Sequence, residues 1–195
     1  MKKAKGSLIV ISAPSGSGKT TIARAIMERY PAIMFSVSAT TRPRRKNEVD
    51  ERDYFFLSRE EFQKRIQAGA LVEWEEIYGD LYGTLRSEVE RTLTEGGVML
   101  FDVDIKGALS IKREYAEAVL IFVRPPSVES LKQRLRGRKT ENEPALNRRL
   151  ERVPMELELG SRCDYEVVND DLPRAILDVE RIILQHTELE PIHSS

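Results

Sequence analysis

Residues 8–22 read LIVISAPSGSGKTTI, and they set the class of fold. The four apolar residues at 8–11 predict a short strand that is buried on both faces. A segment rich in glycine and serine follows, and then Ile22 and Ile26 repeat at the spacing of a helix. A strand, a glycine-rich turn and a helix in this order predict a loop that holds phosphate groups on its backbone amides.

The turn, residues 13–20, matches the phosphate-loop pattern G-x-x-x-x-G-K-[ST], with Ala13 at the first glycine position. Its two glycines allow successive backbone N–H groups to turn inward around an anion. Lys19 supplies a positive charge for the β- and γ-phosphates, and Thr20 supplies a hydroxyl group for Mg²⁺. An ordinary glycine-rich turn would explain the glycines but not this lysine and threonine. The predicted nucleotide-phosphate site comprises Ala13, Pro14, Ser15, Gly16, Ser17, Gly18, Lys19, Thr20 and Thr21.

A second apolar run, at 98–101, ends in Asp102 and Asp104. Side chains two residues apart on a strand share a face, so both acids are expected where parallel sheets bind their ligands. Asp102 fits the acid that supports Mg²⁺ in phosphate-loop proteins, which predicts a metal site of Thr20 and Asp102, partly through water. The alternative is that the two acids only cap the loop or the following turn.

The remaining chain alternates strand and helix patterns, with further strands predicted at 34–39, 119–123 and 165–168. This alternation predicts an α/β domain with a parallel sheet flanked by helices.

Two segments break the alternation. Residues from about 36 to 84 predict an inserted small α+β lobe, and residues from about 127 to 154 predict an arginine-rich helical lid. The core of a single domain, 1–195, would then consist of residues 1–35, 85–126 and 155–195.

The composition excludes several kinds of chemistry. The 195 residues contain one cysteine, Cys163, so no internal disulfide and no cysteine-rich metal site can form. The two histidines, His186 and His193, lie near the C-terminus and leave almost nothing for a zinc triad or a Ser-His-Asp triad. The net charge of −1 argues against a general binder of nucleic acid or membrane surfaces, although residues 132–152 alone carry +5.

Several motifs outside the loop make a more specific pattern. The segment SVSATTRPRR at 36–45 is followed by Glu48, by EW at 73–74, by YGT at 82–84 and by VNDD at 168–171. At these motifs the sequence resembles the guanylate kinases, the family that phosphorylates GMP with ATP. The resemblance runs from about residue 8 to about residue 183. It implies the phosphate-loop NTPase fold with a GMP-binding lobe, with ATP and Mg²⁺ on the loop.

The resemblance also implies a role for each matching position. The GMP phosphate would be bound by Arg42, Arg45, Tyr54 and Tyr82. Guanine would be read by Ser38, Glu73, Thr84 and Asp104. The catalytic set would be Lys19 with the lid arginines Arg134, Arg138 and Arg149. Asn169 would lie near the adenine of ATP.

The chemistry of the residues agrees with these roles. Guanine presents two adjacent donors, N1–H and the N2 amino group, and an ionised Glu73 can accept hydrogen bonds from both. Adenine lacks that pair and would leave a buried carboxylate unpaired. The acceptor is a phosphate that is already anionic, so the reaction needs no general base, which fits a site without histidine.

Two other functions fit parts of the pattern. A non-catalytic guanylate-kinase-like binding module would resemble the lobe but typically has a degraded phosphate loop, whereas Lys19 and Thr20 are present. A related small-molecule kinase acting on a phosphorylated sugar would give Glu73 and Asp104 no guanine edge to read. A GTPase would need an Asn-Lys-x-Asp segment, which the sequence lacks.

Two positions depart from the family pattern. Lys106 stands where glutamine is common, and Lys139 stands where glycine is common.

No apolar run is long enough to span a bilayer, so a cytoplasmic enzyme is expected. Its expected substrates are ATP and GMP, and the use of dGMP is left open. No nucleic acid, membrane or obligate protein partner is predicted.

Overall fold

The computed structural model describes residues 6–77, 79–137 and 143–191. In chain order its elements are β1 (Ser7–Ser12), α1 (Lys19–Arg29), β2 (Ile33–Phe35), β3 (Ser38–Thr40), β4 (Phe55–Phe56), α2 (Arg59–Gln67), β5 (Leu71–Ile77), β6 (Asp80–Leu85), α3 (Arg86–Glu95), β7 (Val98–Asp102), α4 (Ile105–Glu114), β8 (Val119–Arg124), α5 (Val128–Gly137), α6 (Glu143–Gly160), β9 (Tyr165–Val168) and α7 (Leu172–His186).

The core is a five-stranded sheet in the order β2-β7-β1-β8-β9, and every neighbouring pair is parallel. Successive side chains of its central strand pack on opposite faces. Ile9 and Ile11 join the cluster with α1 and α7, whereas Leu8 and Val10 join the cluster with α3 and α4. Burial on both faces explains why the core strands are continuous apolar runs without polar alternation. The predicted α/β fold with a parallel sheet is confirmed.

A second sheet of four strands, in the order β4-β3-β6-β5, forms a small lobe with α2. Phe62 of α2 is fully buried and packs with the apolar residues of this sheet. The helix begins at a capping box, in which the Ser58 side chain accepts from the Glu61 N–H and the Glu61 side chain accepts from the Ser58 N–H. The lobe is therefore a sheet covered by one helix, inserted between β2 and α3 of the core.

Residues 34–39, predicted as one strand, belong to two sheets. Phe35 pairs with Leu100 of the core sheet, whereas Ser38 pairs with Thr84 of the lobe. The Ser36 N–H still donates to the Leu100 carbonyl, and the chain then leaves the core. The crossing is invisible in the sequence because both halves carry strand-forming residues and no turn signal separates them.

The two helices of the predicted lid region lie against the core. Leu131 and Leu135 of α5 form a small buried cluster with Val153 of α6. Helix α6 runs through residue 154 to Gly160, so it belongs both to the predicted lid and to the core. Among the described residues, no helix is long and apolar enough to cross a membrane.

Candidate active site

The phosphate loop joins the central strand β1 to α1. Gly16 and Gly18 have φ angles of 90° and 93°, in the left-handed region that other residues rarely adopt. The Ser17 N–H donates to the Pro14 carbonyl at 3.1 Å, which closes the turn. Gly18 precedes the first turn of α1, so its neighbouring amides and the helix N-terminus face the same point. This arrangement is a backbone cradle for an anion.

Three side chains meet at the start of α1. The Lys19 ammonium lies 2.7 Å from Asp102 Oδ1 and donates to the Val103 carbonyl at 2.8 Å. The Thr20 hydroxyl donates to Asp102 Oδ2 at 2.8 Å. Asp102 is the last residue of β7, beside β1, which places its carboxylate next to the loop. The structure thus brings the two predicted Mg²⁺ residues together.

Asn169 ties the loop to the sheet edge. Its Nδ2 donates to the Ser17 carbonyl at 2.7 Å, its backbone N–H donates to the Arg124 carbonyl, and its own carbonyl accepts from Arg134 at 2.9 Å. Its side chain is buried beneath the loop. The predicted proximity of Asn169 to adenine stays a prediction, because the bond that its side-chain amide donates serves the loop itself.

The lid helices cover the loop from outside. Arg149 of α6 donates to the Ser15 hydroxyl at 2.7 Å. Leu131 and Leu135 of α5 lie so near Gly16 that a side chain at this position would contact them. The predicted catalytic residues Lys19, Arg134 and Arg149 therefore all lie around one loop. Arg138, and the departure at Lys139, lie outside the described residues.

The residues assigned to the GMP phosphate form an aromatic and cationic group on the lobe. The Arg42 guanidinium lies 5.3 Å from the centre of the Tyr54 ring, and the rings of Tyr54 and Tyr82 are 6.3 Å apart, edge to face. Glu48 accepts from Arg42 at 2.7 Å and from the Arg45 N–H at 2.8 Å. Glu48 thus anchors both arginines, while the Arg45 side chain is exposed.

Three of the guanine-reading candidates lie in register across the lobe sheet. Ser38 pairs with Thr84, and Glu73 pairs with the same threonine from the other side. The Thr84 hydroxyl donates to Glu73 Oε1 at 2.7 Å. The register of β5 against β6 shifts between Leu71 and Glu73, and such an irregularity changes the direction in which nearby side chains point.

Asp104 reaches the site from the core, but not from the strand. β7 ends at Asp102, and Asp104 is the N-cap of α4, with Oδ1 accepting from the Gly107 N–H at 2.8 Å. The two acids therefore do not share a strand face as expected, because the helix cap fixes the second one. Gly107 lies close to both Asp104 and Glu73, so the two carboxylates approach one another there.

The electrostatics of these carboxylates differ from those of free side chains. Burial raises the pKa of Glu73 to about 6, with the hydrogen bond from Thr84 opposing the rise and the charge on Asp104 adding to it. Burial also raises the pKa of Glu75, and the neighbouring Asp104 adds to the rise. The pKa of Asp104 is lowered, because the influences of Glu75, the Gly107 amide, Arg152 and Lys19 together outweigh burial.

A cleft of about 500 Å³ separates the phosphate loop from the lobe. Thr20 and Asp102 line it from the core side, and Ser38 and Tyr54 line it from the lobe side. The cleft is thus open to residues of both the core and the lobe.

Three residues near the site were not predicted from the sequence. Arg152 of α6 lies 3.0 Å from Asp104, and Glu75 and Glu156 lie beside it. No motif or spacing marks them, since they meet only when the lobe, the core and α6 pack together. The one signal that could have indicated Arg152 is the high density of arginine in residues 132–152, and no signal indicates Glu75 or Glu156.

Comparisons with known proteins all match guanylate kinases. A family model described as guanylate kinase matches residues 5–186. The guanylate kinase of Salinibacter ruber is 53% identical over 171 residues, which cover 87% of this chain and 90% of that protein. The guanylate kinase of Symbiobacterium thermophilum is 47% identical over 182 residues, which cover 93% and 86%. The crystal structure of guanylate kinase from Anaplasma phagocytophilum matches with a TM-score of 0.75 at 31% identity, covering 96% of this chain and 89% of that one.

Proposed function

This chain belongs to the guanylate kinase family, and from that membership we propose that it transfers the γ-phosphoryl group of ATP to GMP, giving ADP and GDP. The observation that carries the proposal is a cleft that is lined by Thr20 and Asp102 on one side and by Ser38 and Tyr54 on the other. A phosphate donor on the loop and an acceptor on the lobe would meet there. Catalysis then consists mainly of holding two anions in line.

On the donor side, the chain binds and neutralises the phosphates of ATP. The amides around Gly16 and Gly18 and the N-terminus of α1 hold the phosphate chain, and Lys19 adds a positive charge. Thr20 and Asp102 offer one hydroxyl and one carboxylate, a set that fits Mg²⁺ completed by substrate phosphates and water. Mg²⁺ held by these residues would offset the negative charge of the substrate phosphates.

On the acceptor side, the lobe orients GMP. Glu73, held by Thr84, accepts from the N1–H and N2 amino groups of guanine, while Arg42 and the hydroxyls of Tyr54 and Tyr82 bind its phosphate. An adenine base would not supply this pair of donors, so the Glu73 carboxylate would lose water without gaining both hydrogen bonds in exchange. This difference supports selection of GMP over AMP.

The transfer itself needs no proton removed by the protein. The attacking oxygen belongs to a phosphate that is already ionised near neutral pH, so Arg134 and Arg149 serve to stabilise charge as it moves between the two phosphates. Their position over the loop also excludes water, which would otherwise compete for the phosphoryl group. We propose the same role for Arg138, because its position in the sequence matches a lid arginine of the family.

A coupled assay of ADP release tests this function. Purified protein with Mg-ATP is offered GMP, dGMP, AMP, CMP or UMP, one at a time. We expect rapid ADP release with GMP, with AMP slower by about 10²-fold or more. ADP release of equal rate with all acceptors would overturn the guanine-reading role, and no release with any would overturn the kinase activity.

The expected setting of the reaction is part of the same proposal. ATP and GMP are its small-molecule partners, Mg²⁺ is its cofactor, and a cytoplasmic location is expected. No nucleic acid, membrane or obligate protein partner enters the mechanism.

A further inference from the structure

Arg152 of α6 stands at the centre of a cluster of acids. Its Nη2 atom lies 3.0 Å from Asp104 Oδ2 and 3.7 Å from Glu75 Oε1, and its Nε atom lies 3.5 Å from Glu156 Oε1. Asp104 and Glu75 are about one quarter exposed and Glu156 is almost fully buried. One guanidinium therefore serves three carboxylates that are partly withdrawn from water.

These carboxylates come from different parts of the molecule. Asp104 caps α4 in the core, Glu75 lies on β5 of the lobe, and Glu156 follows Arg152 by one turn of α6. Arg152 is thus the point at which α6 touches both the lobe and the acid that the core contributes to the guanine site.

Without a cation at this point the acids would repel one another. The Nη2 atom of Arg152 faces the carboxylates of both Glu75 and Asp104, so its positive charge compensates this pair. Arg152 donates to Asp104 Oδ2 at 3.0 Å, while the Gly107 N–H donates to Oδ1, so both oxygens of this carboxylate are held in place. A carboxylate in a fixed position is what an acceptor of guanine hydrogen bonds requires.

The same helix also touches the donor site. Arg149 lies three residues before Arg152, and residues at this spacing share a face of a helix. Arg149 donates to Ser15 of the phosphate loop, while Arg152 contacts Asp104. Residues one turn apart on α6 therefore contact both the phosphate loop and Asp104, the acid proposed to bind guanine.

We propose that Arg152 is a positioning residue for GMP, which fixes Asp104 toward the guanine base and links the lobe to α6. The inference rests on the proposed function, because it assigns a residue to the guanine site of that reaction. It goes beyond the motifs that carry the family resemblance, which do not include this position. GMP affinity depends on Arg152 under this assignment, and ATP affinity depends on it much less.

The test compares the full-length native protein with R152Q, R152K, the double variant E75Q/R152Q and the control R181Q. Arg181 lies on the exposed face of α7 beside Asp178, outside the site. We expect R152Q to raise the KM for GMP about tenfold and the KM for ATP less than about twofold. R152K keeps the positive charge but lacks the planar guanidinium with its several N–H donors. It is expected to raise the KM for GMP only about threefold.

The double variant tests the cause of the effect. The neutral amide that E75Q introduces cannot repel Asp104 and can donate a hydrogen bond to it, so E75Q/R152Q is expected to recover most of the GMP affinity lost in R152Q. R181Q is expected to match the native protein in both KM values. Melting temperatures of all variants show whether any change in KM reflects unfolding.

The outcomes separate this inference from the function on which it rests. A native protein that does not phosphorylate GMP would overturn the proposed function, and the role of Arg152 with it. An active native protein whose R152Q variant keeps the native KM for GMP, or raises both KM values equally, would overturn the role of Arg152 alone. Should R152Q not fold, R152K decides: an unchanged KM for GMP contradicts the assignment, and a selective rise supports it.

Discussion

The phosphate loop and the lobe, proposed to bind ATP and GMP, are built from different kinds of structure. The centre of the proposed donor site is one continuous segment, residues 13–20, which leads from β1 into the first turn of α1. The acceptor candidates come from three strands of the lobe and from the start of α4, between Ser38 and Asp104. In the proposed function their side chains, rather than their backbone, would contact the ligand.

The difference follows from what each site recognises. A triphosphate is recognised through charge, which backbone amides and one lysine can meet with a continuous segment. A guanine base is recognised through a particular order of donors and acceptors, which requires side chains fixed from several directions. The lobe also rests on a smaller apolar cluster, centred on Phe62, than either face of the core sheet. The proposed donor site thus lies on the larger core, and the proposed acceptor site lies on a lobe with a smaller apolar cluster.

The largest expected effect separates the two sites. Lys19→Ala removes the side-chain charge on the donor phosphates and is expected to lower turnover about 10³-fold. GMP binding should remain near native, because Lys19 lies on the core side of the cleft. Binding is followed by the fluorescence of Trp74, the single tryptophan of the chain, which is half exposed beside Glu73.

A matched lysine controls for the loss of charge. Lys64 lies on the exposed face of α2, paired with Glu60, and Lys64→Ala should leave turnover within about twofold of native. Native turnover in Lys19→Ala would remove the lysine from the mechanism. A parallel loss of GMP binding would show that the two sites are not separable.

The next effect concerns the acceptor side alone. Glu73→Gln keeps the size of the side chain and can still accept from Thr84, but its amide cannot accept from both guanine donors. We expect kcat/KM for GMP to fall about 10²-fold while the KM for ATP stays near native. Steady-state kinetics with each substrate varied in turn measures both.

The control for this variant lies three residues along the same strand. Glu76 is exposed and pairs with Arg59, so Glu76→Gln should leave both constants within about twofold of native. An equal loss for GMP and ATP in Glu73→Gln would contradict a guanine-specific role.

The same glutamate is expected to lower stability above its pKa. Glu73 has a folded pKa of about 6, raised by burial above the ordinary value of 4.5. The folded state therefore favours the protonated form, and that contribution is complete below about pH 4.5 and lost as the pH rises through about 6. Glu73→Gln should gain up to about 2 kcal/mol of unfolding free energy near pH 8.

Urea unfolding at about pH 8 and at about pH 4.5 measures this gain. The variant should be more stable only at the higher pH. A gain that is the same at both values would point to packing rather than to the buried charge.

The smallest expected effect is on the pH profile. Lowering the pH from about 7.5 to about 5.5 protonates Glu73 and should reduce its contribution to kcat/KM for GMP about fourfold. The substrate phosphates titrate in the same range, so the readout is the ratio of the native profile to the Glu73→Gln profile. A ratio that does not change with pH would contradict a role for the ionised carboxylate.

The contrast between the two sites also explains what could be predicted from the sequence. The loop and the core strands were predictable because their signals are local: continuous apolar runs, two glycines, and Lys19 with Thr20 at a fixed offset. The acceptor residues were predicted only through the family resemblance. Their spacing carries no independent signal, because Ser38 and Glu73 come to lie on either side of Thr84 only when the lobe strands pair.

Other features depend on packing that no local pattern records. The strand predicted at 34–39 divides between two sheets at Ser36, and Asp104 is a helix cap rather than a strand residue. Arg152 meets its partners only when α6, β5 and α4 are assembled. Contacts of this kind join three segments that are distant in sequence, so a single chain without its fold does not reveal them.

The insertion of the lobe between β2 and α3 has a consequence for how such proteins change their substrate. A segment that leaves and re-enters the core at two points can be replaced by another without altering the order of the core strands. Asp104 and Arg152 lie outside that segment, however, and both reach toward it. A lobe moved into another protein would lack Asp104 and Arg152. A chimera therefore also needs the N-cap of α4 and the turn of α6 that carry these two residues.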